Sequence, residues 1–140
     1  MTVQPFVDRP VGDVDRARTL AMRVTHDLDL PDPVLLRAGM NALFRAGDVI
    51  VRIGRPSAPA ELSIELASRL RDQGIAAPMP AVADVHIEGD LSATCWVRLV
   101  DSGEPIDWRE VGAVVRRVHA LAPADLPDGY PLPPPTAFPC

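Results

Sequence analysis

Between Val34 and Ile53 three short apolar runs, Val34-Leu35-Leu36, Ala42-Leu43-Phe44 and Val49-Ile50-Val51, are split by Gly39 and by Ala46-Gly47-Asp48. Runs this short, with turn residues at each break, predict three antiparallel strands joined by tight turns. The segments on either side change period. Val14, Ala17, Ala21, Val24 and Leu28 recur at helical spacing, so residues 13–28 read as a helix with Asp13 or Asp15 near its start and Pro31 and Pro33 beyond its end.

Ser57 offers an N-cap for a second helix, in which Leu62, Leu66 and Leu70 stack until Gly74 supplies a stop. Residues 81–87 and 93–100 are two further strand candidates around the turn Glu88-Gly89-Asp90. Asp107-Trp108-Arg109-Glu110 resembles a capping box, and Val111, Val114, Val115, Val118 and Leu121 form the apolar face of the helix it opens. After Pro123 the prolines multiply through Pro127, Pro131 and Pro133-Pro134-Pro135, which predicts an extended, polyproline-like or disordered tail. The predicted order is helix, three strands, helix, two strands, helix, tail.

Composition removes several classes of function. A length of 140 residues suits one domain. No apolar run approaches the roughly 20 residues that cross a bilayer. Residues 1–10 lack a basic segment followed by an apolar one, so no signal peptide is expected and the cytoplasm is the default location. A net charge of −5 argues against a nucleic-acid surface. All 14 basic residues are arginine, which excludes any mechanism that needs lysine. Cys95 and Cys140 have no partner at metal-ligand spacing and read as free thiols.

Specific residues carry a family resemblance. The stretch Leu36 to Arg45, with Gly39-Met40-Asn41 at its turn, is similar to the first hairpin of the aminoglycoside phosphotransferase family, where a Gly-x-Asn turn covers nucleotide phosphates. Val49-Ile50-Val51-Arg52-Ile53 resembles that family's third strand. Leu70 through Gly74 and on to Pro78 looks like its helix end and the entry to its fourth strand, and Trp108 through Leu121 looks like the helix after its hinge. The resemblance runs from about Val34 to Leu132. It implies an α+β fold: a protein-kinase-like N-lobe, with a five-stranded antiparallel sheet, a helix inserted after the third strand, and flanking N- and C-terminal helices. On this reading residues 1–33 form an N-terminal helical region, 34–104 the lobe, 105–122 the helix after the hinge and 123–140 the tail.

The resemblance further implies a nucleotide site at Gly39, Asn41, Arg52, Leu99, Val100 and Asp101, with ATP and magnesium as the family's cofactors. Arg52 holds the position of the usual lysine; it is either a phosphate ligand or a strand residue facing solvent beside Arg55. The Gly39-Met40-Asn41 turn either presents backbone N–H groups to phosphate or serves turn geometry alone. Leu99-Val100-Asp101 is either the hinge that reads adenine or the plain end of an edge strand. The family's spacing puts Ser63, not an acid, opposite Arg52. Ala60, Ser63, Ile64, Ala67 and Leu70 share the inward arc of the helix, while Glu65 and Arg69 make a surface pair.

The family's His-Gly-Asp…Asn catalytic loop and its later metal-binding Asp do not occur in the 140 residues. His26-Asp27 lies upstream of the strands, and His86 and His119 are followed by Ile87 and Ala120. The expectation is a truncated module: an ATP-binding lobe that binds nucleotide weakly, meets a small-molecule acceptor only when a catalytic lobe is supplied, and does not turn over. The alternative is a non-catalytic module that binds a partner or pairs with itself as a homodimer, since the valine face expects cover.

Overall fold

The computed structural model describes residues 9–131; the expectations for Leu132, for Pro133 to Pro135, for Cys140 and for the first eight residues lie outside the described residues. Helix α1 (Val14–Asp27) starts where its sequence says it should. The Asp13 carboxylate accepts from the backbone N–H groups of Asp15 at 2.9 Å and Arg16 at 3.3 Å, satisfying two of the donors that a helix start leaves free. Ala17, Leu20, Ala21, Val24 and Thr25 are buried along one stripe.

Five strands, β1 (Val34–Ala38), β2 (Ala42–Ala46), β3 (Val49–Gly54), β4 (His86–Glu88) and β5 (Leu91–Val97), form one antiparallel sheet in the order β1-β2-β3-β5-β4. Gly47 takes φ 64° in the turn between β2 and β3, a left-handed conformation that side chains disfavour. Because side chains alternate along a strand, the sheet has two distinct faces. Ala42, Phe44, Val51, Ile53, Leu91, Ala93 and Cys95 point to α1 and are buried with it in the main core. Each large side chain fully buried there, such as Phe44 or Ile53, stabilises the fold by about 2 kcal/mol.

The other face carries Leu43, Ile50, Arg52, Ser92, Thr94 and Trp96, and helix α2 (Glu61–Asp72) lies against it. This packing is thinner. Ile64, Ala67 and Trp96 form a small cluster, and Leu66 and Leu70 face an open cavity rather than the core. The start of α2 corrects the sequence reading: Ala60, not Ser57, precedes its first residue, and Ala60 has no side chain that could cap it. The entry to the helix is tightened by Leu62 N–H donating to the Pro59 carbonyl at 3.0 Å and Ser63 N–H to the Ala60 carbonyl at 3.1 Å. The Glu65–Arg69 pair forms as expected, with Arg69 Nη2 2.7 Å from Glu65 Oε1.

The two later strands also differ from expectation. Of residues 81–87 only His86 and Ile87 join β4. Pro80 makes one isolated bridge to Trp96, with Ala81 N–H donating to the Cys95 carbonyl and Val97 N–H to the Met79 carbonyl. These bonds keep residues 79–81 beside β5, and the chain then leaves the ladder until His86. β5 starts earlier than expected, at Leu91, and ends at Val97, so Leu99 and Val100 lie beyond the sheet.

Helix α3 (Trp108–His119) is capped by Asp107, whose carboxylate accepts from Arg109 N–H at 2.9 Å; this is a simple N-cap to the second helical residue, and neither bond of the expected capping box to Glu110 forms among the described residues. No residue of α3 is buried, and Trp108, Val111, Val115 and Val118 are exposed. The tail corrects another expectation. Pro123–Asp125 makes a short 3-10 turn, closed by the Asp125 carboxylate accepting from Ala122 N–H at 2.7 Å. The chain then returns to α2, where Arg69 Nη1 donates to the Leu126 carbonyl at 3.0 Å and Pro127 is buried.

Candidate functional site

Arg52 sits near the middle of the sheet, paired across β3 with Leu43 on β2 and Thr94 on β5. That register sends its side chain to the α2 face, into the space that α2 leaves incompletely filled. Three adjoining cavities share Arg52 and Ser63 among their walls. The largest, about 490 Å3, is mostly apolar: Leu43, Ile50 and Trp96 come from the sheet, Leu66 and Leu70 from α2, and Leu99 from its rim. That volume lies within the usual range for small-molecule sites.

The second cavity is a polar recess of about 30 Å3, lined by Asn41, Gly54, Ser92 and Thr94 beside Arg52 and Ser63. Asn41 lies so close over Gly54 that a Cβ there would collide with its Oδ1. A glycine at this position is what lets the carboxamide reach the recess. Thr94 is buried and its hydroxyl accepts from Trp96 Nε1 at 2.8 Å, which fixes the indole's orientation. The third cavity, about 250 Å3, lies between Arg52, Leu62 on α2 and Tyr130 of the returning tail.

The electrostatics of the three cavities are one-sided. No aspartate or glutamate lines any of them. Arg52 is half-buried, and its guanidinium makes no hydrogen bond and no ion pair among the described residues. The carboxylates that do meet arginines are elsewhere. Asp90, in the β4–β5 turn, lies 3.1 Å from Arg16 Nη2 and 2.9 Å from Arg55 Nε. The Arg16 hydrogen bond, aided by the charge of Arg55 and against some desolvation, holds the Asp90 carboxyl below its ordinary range. Burial pushes the Cys95 thiol up to about 11, so it is protonated and unreactive at neutral pH.

The site residues named from sequence fare differently. Arg52 and Asn41 meet in the polar recess, and Leu99 reaches the rim of the large cavity although it is 78% exposed. Gly39, Val100 and Asp101 line none of the three cavities. The Gly39 N–H donates to the Asn41 carbonyl at 3.0 Å inside its own turn, and Asp101 Oδ1 accepts from Gly103 N–H at 2.8 Å. Sequence reading missed Gly54, Thr94, Trp96 and Tyr130. The parity of β5 could have found Thr94 and Trp96, since they share a face with Ser92. Nothing local marks Tyr130, which arrives from far along the chain.

The residues present do not fit a magnesium site: no carboxylate borders the arginine, and among the described residues no group of three or more His, Cys, Asp or Glu side chains is placed to hold a metal ion. No described helix is long and apolar enough to cross a membrane. No protein-family model, curated protein or solved structure matches the chain.

Proposed function

We propose that the chain is the nucleotide-binding lobe of an ATP-dependent small-molecule phosphotransferase, related to the aminoglycoside phosphotransferases and lacking their catalytic loop in these 140 residues. One observation carries the reading: an arginine on the third strand, with no hydrogen bond or ion pair among the described residues, borders an apolar cavity of about 490 Å3 between the sheet and α2. A flat base suits the walls at Leu43, Ile50 and Trp96, and the phosphates suit Arg52 and the Asn41 recess. Phosphoryl transfer is largely positioning and charge neutralisation, and here Arg52 is the one charged side chain among the described residues that line the three cavities, with no metal-ligating carboxylate beside it. Binding is therefore weak, with a dissociation constant of about a millimolar, and the chain alone phosphorylates no hydroxyl.

Weak binding is best read by nuclear magnetic resonance. Added ATP is expected to shift the Trp96 indole N–H and the amides of β3, and Arg52→Ala is expected to abolish those shifts. Shifts confined to residues away from the sheet's α2 face, or unaltered in Arg52→Ala, would falsify the assignment. A second reading, a self-associating module without catalytic use, is favoured by one feature: no residue of α3 is buried.

A further inference from the structure

The charge around Arg52 says how a ligand must arrive. In a site built for a metal–nucleotide complex, acidic side chains hold the cation and also neutralise the neighbouring basic group. Here the residue facing Arg52 from α2 is Ser63, and both border all three cavities without a carboxylate between them. The other polar side chains lining these cavities, those of Asn41, Ser57, Ser63, Ser92, Thr94 and Tyr130, are all neutral. Arg52 is half-buried, and its guanidinium meets no counter-charge among the described residues, so it attracts an anion and repels a cation.

We propose that this site takes its ligand free of divalent metal: an anionic phosphate or sulfonate group on a flat apolar body, the anion meeting Arg52 and the body lying in the cavity bordered by Trp96 and Tyr130. For a nucleotide ligand this rests on the reading above; the charge argument itself does not. Magnesium neutralises much of a polyphosphate's charge, brings a hydration shell that it releases reluctantly, and finds no protein oxygen of negative charge here. Magnesium therefore competes with Arg52 for the phosphates instead of assisting it.

The test measures ATP and ADP binding by calorimetry or resonance shifts, in chelator and in excess magnesium at matched ionic strength. Wild type, Arg52→Gln and Ser63→Glu are compared, each checked for a cooperative melt. Anilinonaphthalene sulfonate, an aromatic anion that is no nucleotide, serves as a second probe. Wild type is expected to bind ATP several-fold more tightly without magnesium, and Arg52→Gln to lose about tenfold in affinity for either nucleotide and for the sulfonate. Ser63→Glu supplies the missing carboxylate, so it is expected to weaken metal-free binding and to reverse the magnesium preference. Equal or tighter binding of ATP with magnesium in wild type overturns the inference and leaves the nucleotide-lobe reading standing. Failure of both nucleotides to bind, with Arg52-dependent binding of the sulfonate, removes that reading and leaves the inference. Sulfonate binding of equal strength in Arg52→Gln overturns the inference, as does a folded Ser63→Glu that binds like wild type.

Discussion

Arg117 on α3 donates from Nη1 to the Gly74 carbonyl at 2.9 Å and from Nη2 to the Gln73 carbonyl. Those carbonyls lie just past the end of α2, where the chain turns out of the helix. Among the described residues, no other hydrogen bond or ion pair links α3 to another helix or to the sheet. The helix is thus anchored by one guanidinium and has no fully buried residue, only the partly covered Gly112, Ala113 and Val114. Arg117→Ala is expected to raise hydrogen exchange at the α3 amides by about tenfold while leaving the amides of β3 and β5 unchanged. Equal protection of α3 in the variant would show that packing holds it.

The exposed valines of α3 bear on association. Val111, Val115 and Val118 are 41%, 45% and 39% exposed, and Trp108 is 73% exposed. Valine-rich helices have below-average intrinsic propensity, so α3 gains by finding cover. Each valine buried contributes about 1.5 kcal/mol. The chain is expected to self-associate as concentration rises, and the double substitution Val115→Glu, Val118→Glu to return it to a monomer without lowering its melting temperature. Light scattering checks this; a wild-type chain that stays monodisperse at high concentration counts against the association.

Gly54 tests the recess from the backbone side. Its missing Cβ leaves room for the Asn41 carboxamide. Gly54→Ala is expected to push Asn41 aside at a cost of about 1 kcal/mol, and Asn41→Ala in the same chain to relieve most of it. Urea melts of both single variants and the double variant measure the coupling. Simple additivity of the two costs would show that the side chains do not meet.

Acid sensitivity follows from Asp90, which Arg16 and Arg55 face from α1 and from just beyond β3. Its folded-state carboxyl titrates below the ordinary value of 3.8, so the unfolded chain takes up the proton first. The stabilisation is therefore complete above that ordinary value and disappears as pH falls through the lower folded-state one. Asp90→Asn is expected to be less stable than wild type near neutral pH, with the difference shrinking in acid. A stability difference that stays constant with pH would show that the charge of Asp90 is not what the two arginines hold.

Local pattern determined the elements of this protein. The apolar spacing from Val14 to Leu28, the Asp13 and Asp107 caps and the short runs from Val34 to Val51 are readable because capping and turn chemistry act within a few residues. The same alternation puts Arg52 and Leu43 on one face of the sheet and Phe44 and Val51 on the other. Local pattern failed at two element starts: α2 begins after Ala60 rather than after Ser57, and the fourth strand is only His86–Glu88, because residues 79–81 meet β5 in isolated bonds and the chain then departs from it. What the tertiary structure alone decided is the setting of Arg52. Its register against Thr94, the closeness of Asn41 to Gly54, the approach of Ser63 and the return of Tyr130 join residues up to 89 positions apart in the numbering. Whether a guanidinium has a counter-charge depends on which side chains packing brings beside it, and no spacing within a strand or a helix carries that information.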